Sequence, residues 1–161
     1  VNNQELREPI IISYDPESSL LEQYDFYADP IIAPSGDQLA WIQWNHPNMP
    51  WDNTELVIAD LTEHSLDINS VKIVAGKDNP ASVCLPKFDP NNTLFFVMDE
   101  PNKAEADPKN WWNLYSYENN EITPITQDLE EYGVPPWVFG MSTFDFIPNN
   151  RLVTKTSRLV Q

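Results

Sequence analysis

One short phrase occurs three times along this chain: a hydrophobic run halts at a proline, turns through small polar residues, and restarts. The copies run from Ile31 through Pro34-Ser35-Gly36-Asp37 to Trp41, from Lys87 through Pro90-Asn91-Asn92 to Phe96, and from Phe146 through Pro148-Asn149-Asn150 to Val153. Their prolines lie 56 and 58 positions apart. Proline has no amide hydrogen with which to continue a ladder, while glycine and asparagine tolerate the positive φ of a tight reversal. A strand-turn-strand unit at near-constant spacing builds an array of small antiparallel sheets, not one continuous sheet.

Each copy opens a longer unit with the same grammar. In residues 26–77 the predicted strands follow Ile31-Ile32, Leu39–Trp44, Glu55–Leu61 and Val71–Gly76; in residues 78–127 they follow Val83–Phe88, Leu94–Met98, Trp112–Tyr117 and Glu121–Thr126. The insertions His46–Asn53 and Asp99–Asn110 fall at the same point of the two units, and Pro30 and Pro86 each stand four residues before the turn proline. Residues 1–25 read as the last strand of a preceding unit (Glu8–Ser13) and a linker, and residues 128–161 as the first strands of a further one, over Trp137–Phe146 and Arg151–Thr156. Asp15–Tyr24 and Asp128–Tyr132 are the best places for a short helical turn.

Four-stranded units of this length with apolar residues on both faces are blades of a β-propeller. The expected fold is therefore all-β, a single partial propeller domain built of four-stranded antiparallel blades. Rings close with at least about four blades. Two complete and two partial units thus predict an arc of a longer protein.

Composition narrows the function classes. Nine Lys and Arg stand against 25 Asp and Glu, a formal net charge of −16, which repels a phosphate backbone and argues against nucleic acid as a partner. An acidic chain gains solubility from such a surface; the alternative is an acidic cavity that attracts amines or cationic peptide ends. No apolar run reaches the roughly 18 residues that a membrane-spanning helix needs, so no membrane partner is expected. The lone Cys84 cannot form an internal disulfide and suits a reducing compartment, which makes the cytoplasm the expected location.

Several strings go beyond generic propeller grammar. Tyr27-Ala28-Asp29-Pro30, the Pro34–Trp41 turn, His46-Pro47-Asn48-Met49-Pro50-Trp51, Asp52–Leu61, Asn110–Tyr115 and Pro136-Trp137-Val138-Phe139-Gly140 resemble propeller blades of prolyl oligopeptidase-like serine peptidases. The branch most resembled is the bacterial acylaminoacyl-peptidase and dipeptidyl-peptidase-like group. This resemblance runs from about Tyr24 to Arg158. It implies a two-domain enzyme in which a propeller caps an α/β-hydrolase domain carrying Ser, Asp and His. That second domain is not within these residues.

The chain's own residues carry no catalytic constellation. A nucleophile elbow needs Gly-x-Ser-x-Gly, and Gly140-Met141-Ser142 lacks the second glycine. His46 and His64 stand 18 residues apart in polar, loop-like stretches, unlike a zinc site with closely spaced ligands. The segment Asp99–Asp107 lacks the alternating acids and central glycine of a calcium loop, and no metal or cofactor is expected. Trp41, Trp44, Trp111, Trp112 and Trp137 could stack on a sugar, but tryptophans in strand-like runs more often form core between blades.

In dipeptidyl-peptidase-like relatives a pair of glutamates on a blade binds the free amino end of the substrate. The resemblance therefore singles out Glu130 and Glu131 as candidate substrate-binding residues, with Trp137 lining the same opening. A desolvated ammonium needs carboxylate acceptors.

The expected function is a non-catalytic propeller portion of a serine peptidase acting on short peptides, gating access and helping to orient substrate. One alternative is a WD-like or periplasmic-scaffold interaction module; another is a carbohydrate-binding propeller. An open arc leaves strand edges and apolar faces uncovered, so a homodimer joined through those edges is expected. Light scattering over a concentration series checks it: a strictly monomeric species throughout counts against the dimer.

Overall fold

A computed structural model describes residues 24–63, 65–78, 80–99, 110–149 and 151–156. Two four-stranded antiparallel sheets and a two-stranded hairpin follow one another along the chain. The first sheet contains β1 (Phe26–Ile32), β2 (Gln38–Trp44), β3 (Glu55–Asp60) and β4 (Lys72–Ala75), ordered β1-β2-β3-β4. The second repeats this order with β5 (Val83–Phe88), β6 (Leu94–Met98), β7 (Asn113–Glu118) and β8 (Glu121–Pro124). A hairpin of β9 (Phe144–Ile147) and β10 (Arg151–Thr154) follows. The all-β, blade-by-blade architecture is the one expected from the repeat.

Turn chemistry fixes the register. Asn119 and Asn120 both have positive φ (51° and 66°), the requirement of the two-residue reversal that pairs Glu118 with Glu121. Gly36 at φ 81° and Asn92 at φ 70° do the same work in the repeated proline turns. Asp89 reinforces the second of these, its carboxylate accepting the amides of Asn91 and Thr93 at 2.8 Å each.

Alternation along each strand distributes apolar groups to both faces. On β2, Ala40 and Ile42 point to the seam between the sheets, while Leu39 and Trp41 pack on the opposite face with Val57 and Ala59. The seam sets small groups against large ones. Ala33, Ala40 and Ala75 of the first sheet, with Ala81 of the linker, meet Phe88, Phe96 and Tyr115 of the second. A further cluster joins the second sheet to the hairpin through Leu85, Val97, Leu114, Tyr132 and Phe144.

Polar groups lock the same seam. The fully buried Thr54 hydroxyl accepts the amide of Val83 and donates to its carbonyl, both at 2.7 Å. Thr54 N–H also donates to Ala81 O at 3.0 Å. Gly76 passes so close that a Cβ there would stand 2.0 Å from Thr54 O, and its φ of +95° also excludes a side chain. Toward the turns, the Ser35 amide donates to Asn92 Oδ1 at 2.9 Å, and Lys72 Nζ donates to Asn120 Oδ1 at 2.6 Å.

Two local expectations are corrected. Asp128–Tyr132 is not helical: Tyr132 N–H donates to Trp112 O and the Glu131 carboxylate accepts Trp112 N–H, so pairing with the β7 entry replaces a local turn. Of Trp137–Phe146 only Phe144–Phe146 is strand; Pro135, Pro136 and Gly140 at φ +76° keep the approach irregular. The sole helical element among the described residues is the 3-10 turn Ile68–Ser70, capped by Asp67. The strand expected at Glu8–Ser13 and the helical turn expected from Asp15 lie outside the described residues, apart from Tyr24.

Thr54→Val is expected to cost about 2–4 kcal/mol, because it strands a buried N–H and C=O of Val83 without changing shape. Thr54→Ser keeps the hydroxyl and should cost only about 1 kcal/mol for the lost methyl. Urea unfolding of the two variants separates the hydrogen bonds from the packing.

Candidate functional site

The two sheets stand side by side with β1 and β5 adjacent. At one end of these strands the 46–53 loop and the irregular 134–142 segment come together. Trp51 of the first touches Trp137 of the second, ring centroids 4.5 Å apart and planes tilted by 47°. Beneath them a narrow pocket is lined by Asp29, Pro50, Cys84, Pro136, Val138 and Phe139. The rim is unusually apolar for an exposed surface: Trp137 is 69% exposed, Val138 67% and Phe139 80%.

Asp29 lines this pocket, and two further acids with raised pKa, Asp99 and Glu131, lie on separate segments and are coupled to each other by charge. Asp29 sits on β1 at φ 49°, and its half-buried carboxylate accepts the N–H of Gly140. Burial pushes its pKa up, a rise the Gly140 hydrogen bond partly offsets. Asp99 directly follows β6 and accepts the Ser82 N–H. Burial lifts its pKa to about 6; the Ser82 amide and its own amide oppose the rise, and the charge of Glu131 adds to it. Glu131 accepts Trp112 N–H at 3.0 Å, and burial also raises its pKa against that bond. The Cys84 thiol lies below, held in its neutral form by burial and then by the charges of Asp29 and Asp99.

The structure thus places the sequence candidates differently from one another. Glu131 joins the cluster, with Asp99 as its acidic neighbour. Glu130 turns aside, its Oε2 accepting the Thr156 hydroxyl at 2.8 Å. Trp137 stands at the opening. Sequence reasoning missed Asp29 and Asp99 as site groups. A signal for Asp29 was present: Asp29-Pro30 and Leu85-Pro86 are equivalent pairs, but one carries a carboxylate. Asp99 carries no such signal, standing in the sequence only as the start of an insertion.

The remaining chemistry is modest. The Ser142 hydroxyl donates to Phe144 O at 2.6 Å and accepts from Lys87 Nζ at 3.1 Å, contacts that hold a loop and leave its proton on a carbonyl. Among the described residues no group of three His, Cys, Asp or Glu could hold a metal ion. His46 lies exposed in the 46–53 loop, and His64 is outside the described residues. What the cluster can do is accept hydrogen bonds from a cationic group brought out of water beside an aromatic wall.

Four-stranded blades joined through a tight seam, with aromatics at one end of the edge strands β1 and β5, define a segment of a β-propeller. The solved structures similar to it bear out the resemblance to propellers of prolyl oligopeptidase-like peptidases. One is a Mycobacterium tuberculosis puromycin-hydrolyzing peptidase, 29% identical with a TM-score of 0.71, covering 85% of this chain and 20% of that one. A puromycin hydrolase is 26% identical with a TM-score of 0.70, over 83% of this chain and 19% of its own. A mutant puromycin hydrolase complexed with PGG is 26% identical with a TM-score of 0.71 over the same shares. The chain therefore spans about one fifth of the length of these peptidases. No protein-family model and no curated protein sequence matches it.

The raised carboxyl pKa values give stability a definite pH dependence. A folded-state value of about 6 against an ordinary 3.8 means that the folded chain holds this proton more tightly than the unfolded chain. The associated stabilisation is complete below 3.8 and is lost as the pH rises through about 6. Asp29 and Glu131 act with the same sign. Asp99→Asn keeps an acceptor for Ser82 N–H and removes the charge. Its melting temperature should therefore fall less than the parent's across that window, as calorimetry at stepped pH would show. An unchanged slope would remove Asp99 from the account.

Proposed function

We propose that this chain is the substrate-admitting part of a serine peptidase acting on short peptides. It gates the approach to, and orients substrate for, an α/β-hydrolase domain that is not within these 161 residues. The observation that carries the reading is the Asp29 carboxylate in the pocket lined by Val138 and Phe139 of the exposed rim, together with the charge-coupled acids Asp99 and Glu131. Support comes from the solved neighbours, each of them a peptidase or hydrolase.

The amino end of a peptide is an ammonium group that loses water when its neighbouring residue enters the rim. Carboxylates already held by backbone amides compensate that loss with little further ordering of their own. Glu131 and Asp99 are the recognising pair in this reading, and Trp137 with Trp51 forms the wall. Glu130 helps to hold the segment through Thr156. The burial of these acids, only partly offset by backbone amides, gives the physical motive, since an incoming cation relieves it.

The reading separates the two activities named for the resembled branch, one needing a free amino end and the other an acylated one. In the intact protein, Glu131→Gln retains the acceptor for Trp112 N–H but loses the charge. The KM for a short peptide with a free amino end should rise by about tenfold, the worth of one charge-assisted bond. The KM for the N-acetylated peptide should stay unchanged. Equal effects on both would sink amine recognition, and a preference for the acetylated peptide would assign the acyl-directed activity instead.

A further inference from the structure

The prolines Pro30 and Pro86 have no role of their own in the site described above, yet the stretches that hold them share one unusual geometry. Ala28 pairs with Ile42 and Ile31 with Ala40, so Asp29 and Pro30 together stand opposite Trp41 alone. On β5, Cys84 pairs with Val97 and Lys87 with Phe95, so Leu85 and Pro86 stand opposite Phe96. Each is a two-against-one bulge. In each the residue before the proline takes a left-handed φ without being glycine, 49° at Asp29 and 54° at Leu85. Such a conformation costs on the order of 1 kcal/mol in each strand. It recurs at equivalent positions, 56 residues apart.

These strands are also the outermost ones of their sheets. Their bulges line a single groove of about 440 Å³, together with Phe139 and Gly140 of the rim segment. A free strand edge beside a peptide ordinarily adds that peptide as a further strand through main-chain hydrogen bonds. Proline removes a donor from such an edge and a bulge bends it out of register, the two devices by which sheets refuse edge pairing. Both occur together on both edges of this groove.

We propose that the bulges at Asp29-Pro30 and Leu85-Pro86 close the groove to main-chain pairing, so that a peptide there is held by its side chains and ends. This inference rests on the peptide reading given above and deepens it: the groove discriminates against added strands and admits ligands whose own backbone amides are blocked. Asp29 contributes a second effect. The left-handed φ turns its carboxylate out of the strand's regular alternation and toward Gly140 of the rim segment.

The test compares Ala-Phe-Ala-Leu with the same peptide N-methylated at its two central amides, titrated against the intact protein by tryptophan emission at the earliest times. The two affinities are expected to agree within about twofold, because no ligand amide is engaged. A loss of about tenfold or more on methylation, the worth of main-chain bonds, overturns the inference and leaves the peptide reading standing. If neither peptide binds, the peptide reading falls and the inference with it. In the Pro30→Val, Pro86→Val double variant the unmethylated peptide should gain about fivefold over the methylated one, as the edges open. Equal affinities in a folded double variant would overturn the assignment of discrimination to the prolines.

Discussion

Everything at the rim depends on the seam between the two sheets, and the seam depends on one hydroxyl. Thr54 both accepts from and donates to Val83 across the junction, in a place sealed from water. A neutral hydrogen bond contributes only about 1 kcal/mol net, but a buried amide left without its partner costs about as much or more. The bond therefore specifies position more than it adds stability. Around it, alanines on one sheet make room for aromatic rings on the other, and this size pairing permits only one depth of approach. Strands β1 and β5 are held side by side as a result, and the groove between them follows.

The site uses this rigid base differently at each carboxylate. Asp29, Asp99 and Glu131 each accept a backbone amide from a different stretch of chain: Gly140, Ser82 and Trp112. Each of these bonds helps to tie its segment in place, beside others such as Tyr132 N–H to Trp112 O and Asp99 N–H to Ser82 O. Burial drives all three pKa values upward, so the cluster is electrostatically unfavourable in the folded state at neutral pH. Structural duty and a standing demand for a counter-charge are thus combined in the same side chains.

The repeat made most of the fold legible in advance. Proline, glycine and asparagine marked the turns, alternating apolar residues marked the strands, and the paired asparagines at 119–120 marked a hairpin that the structure forms. Local signals failed where long-range pairing decides the outcome. Asp128–Tyr132 has the composition of a helical turn, yet its groups are taken by Trp112, far away in sequence. The candidate site was half visible for a related reason. Adjacent glutamates suggest a pair, but long-range bonds separate them: the Glu131 carboxylate accepts Trp112 N–H while Glu130 accepts the Thr156 hydroxyl. No pattern in one dimension announces that Asp29 and Asp99, from different blades, both act on the buried Cys84 thiol.

The paired tryptophans have an optical consequence. Two indole rings 4.5 Å apart and inclined by 47° share their electronic transitions, and such coupling gives paired circular-dichroism bands of opposite sign. Trp51 belongs to the connection between β2 and β3, and Trp137 to the segment leading into β9. Any relative displacement of those two stretches alters the angle between the transition moments, and with it the amplitude of the doublet. The opening therefore carries an intrinsic gauge of its own geometry, readable without a label and independent of any reaction.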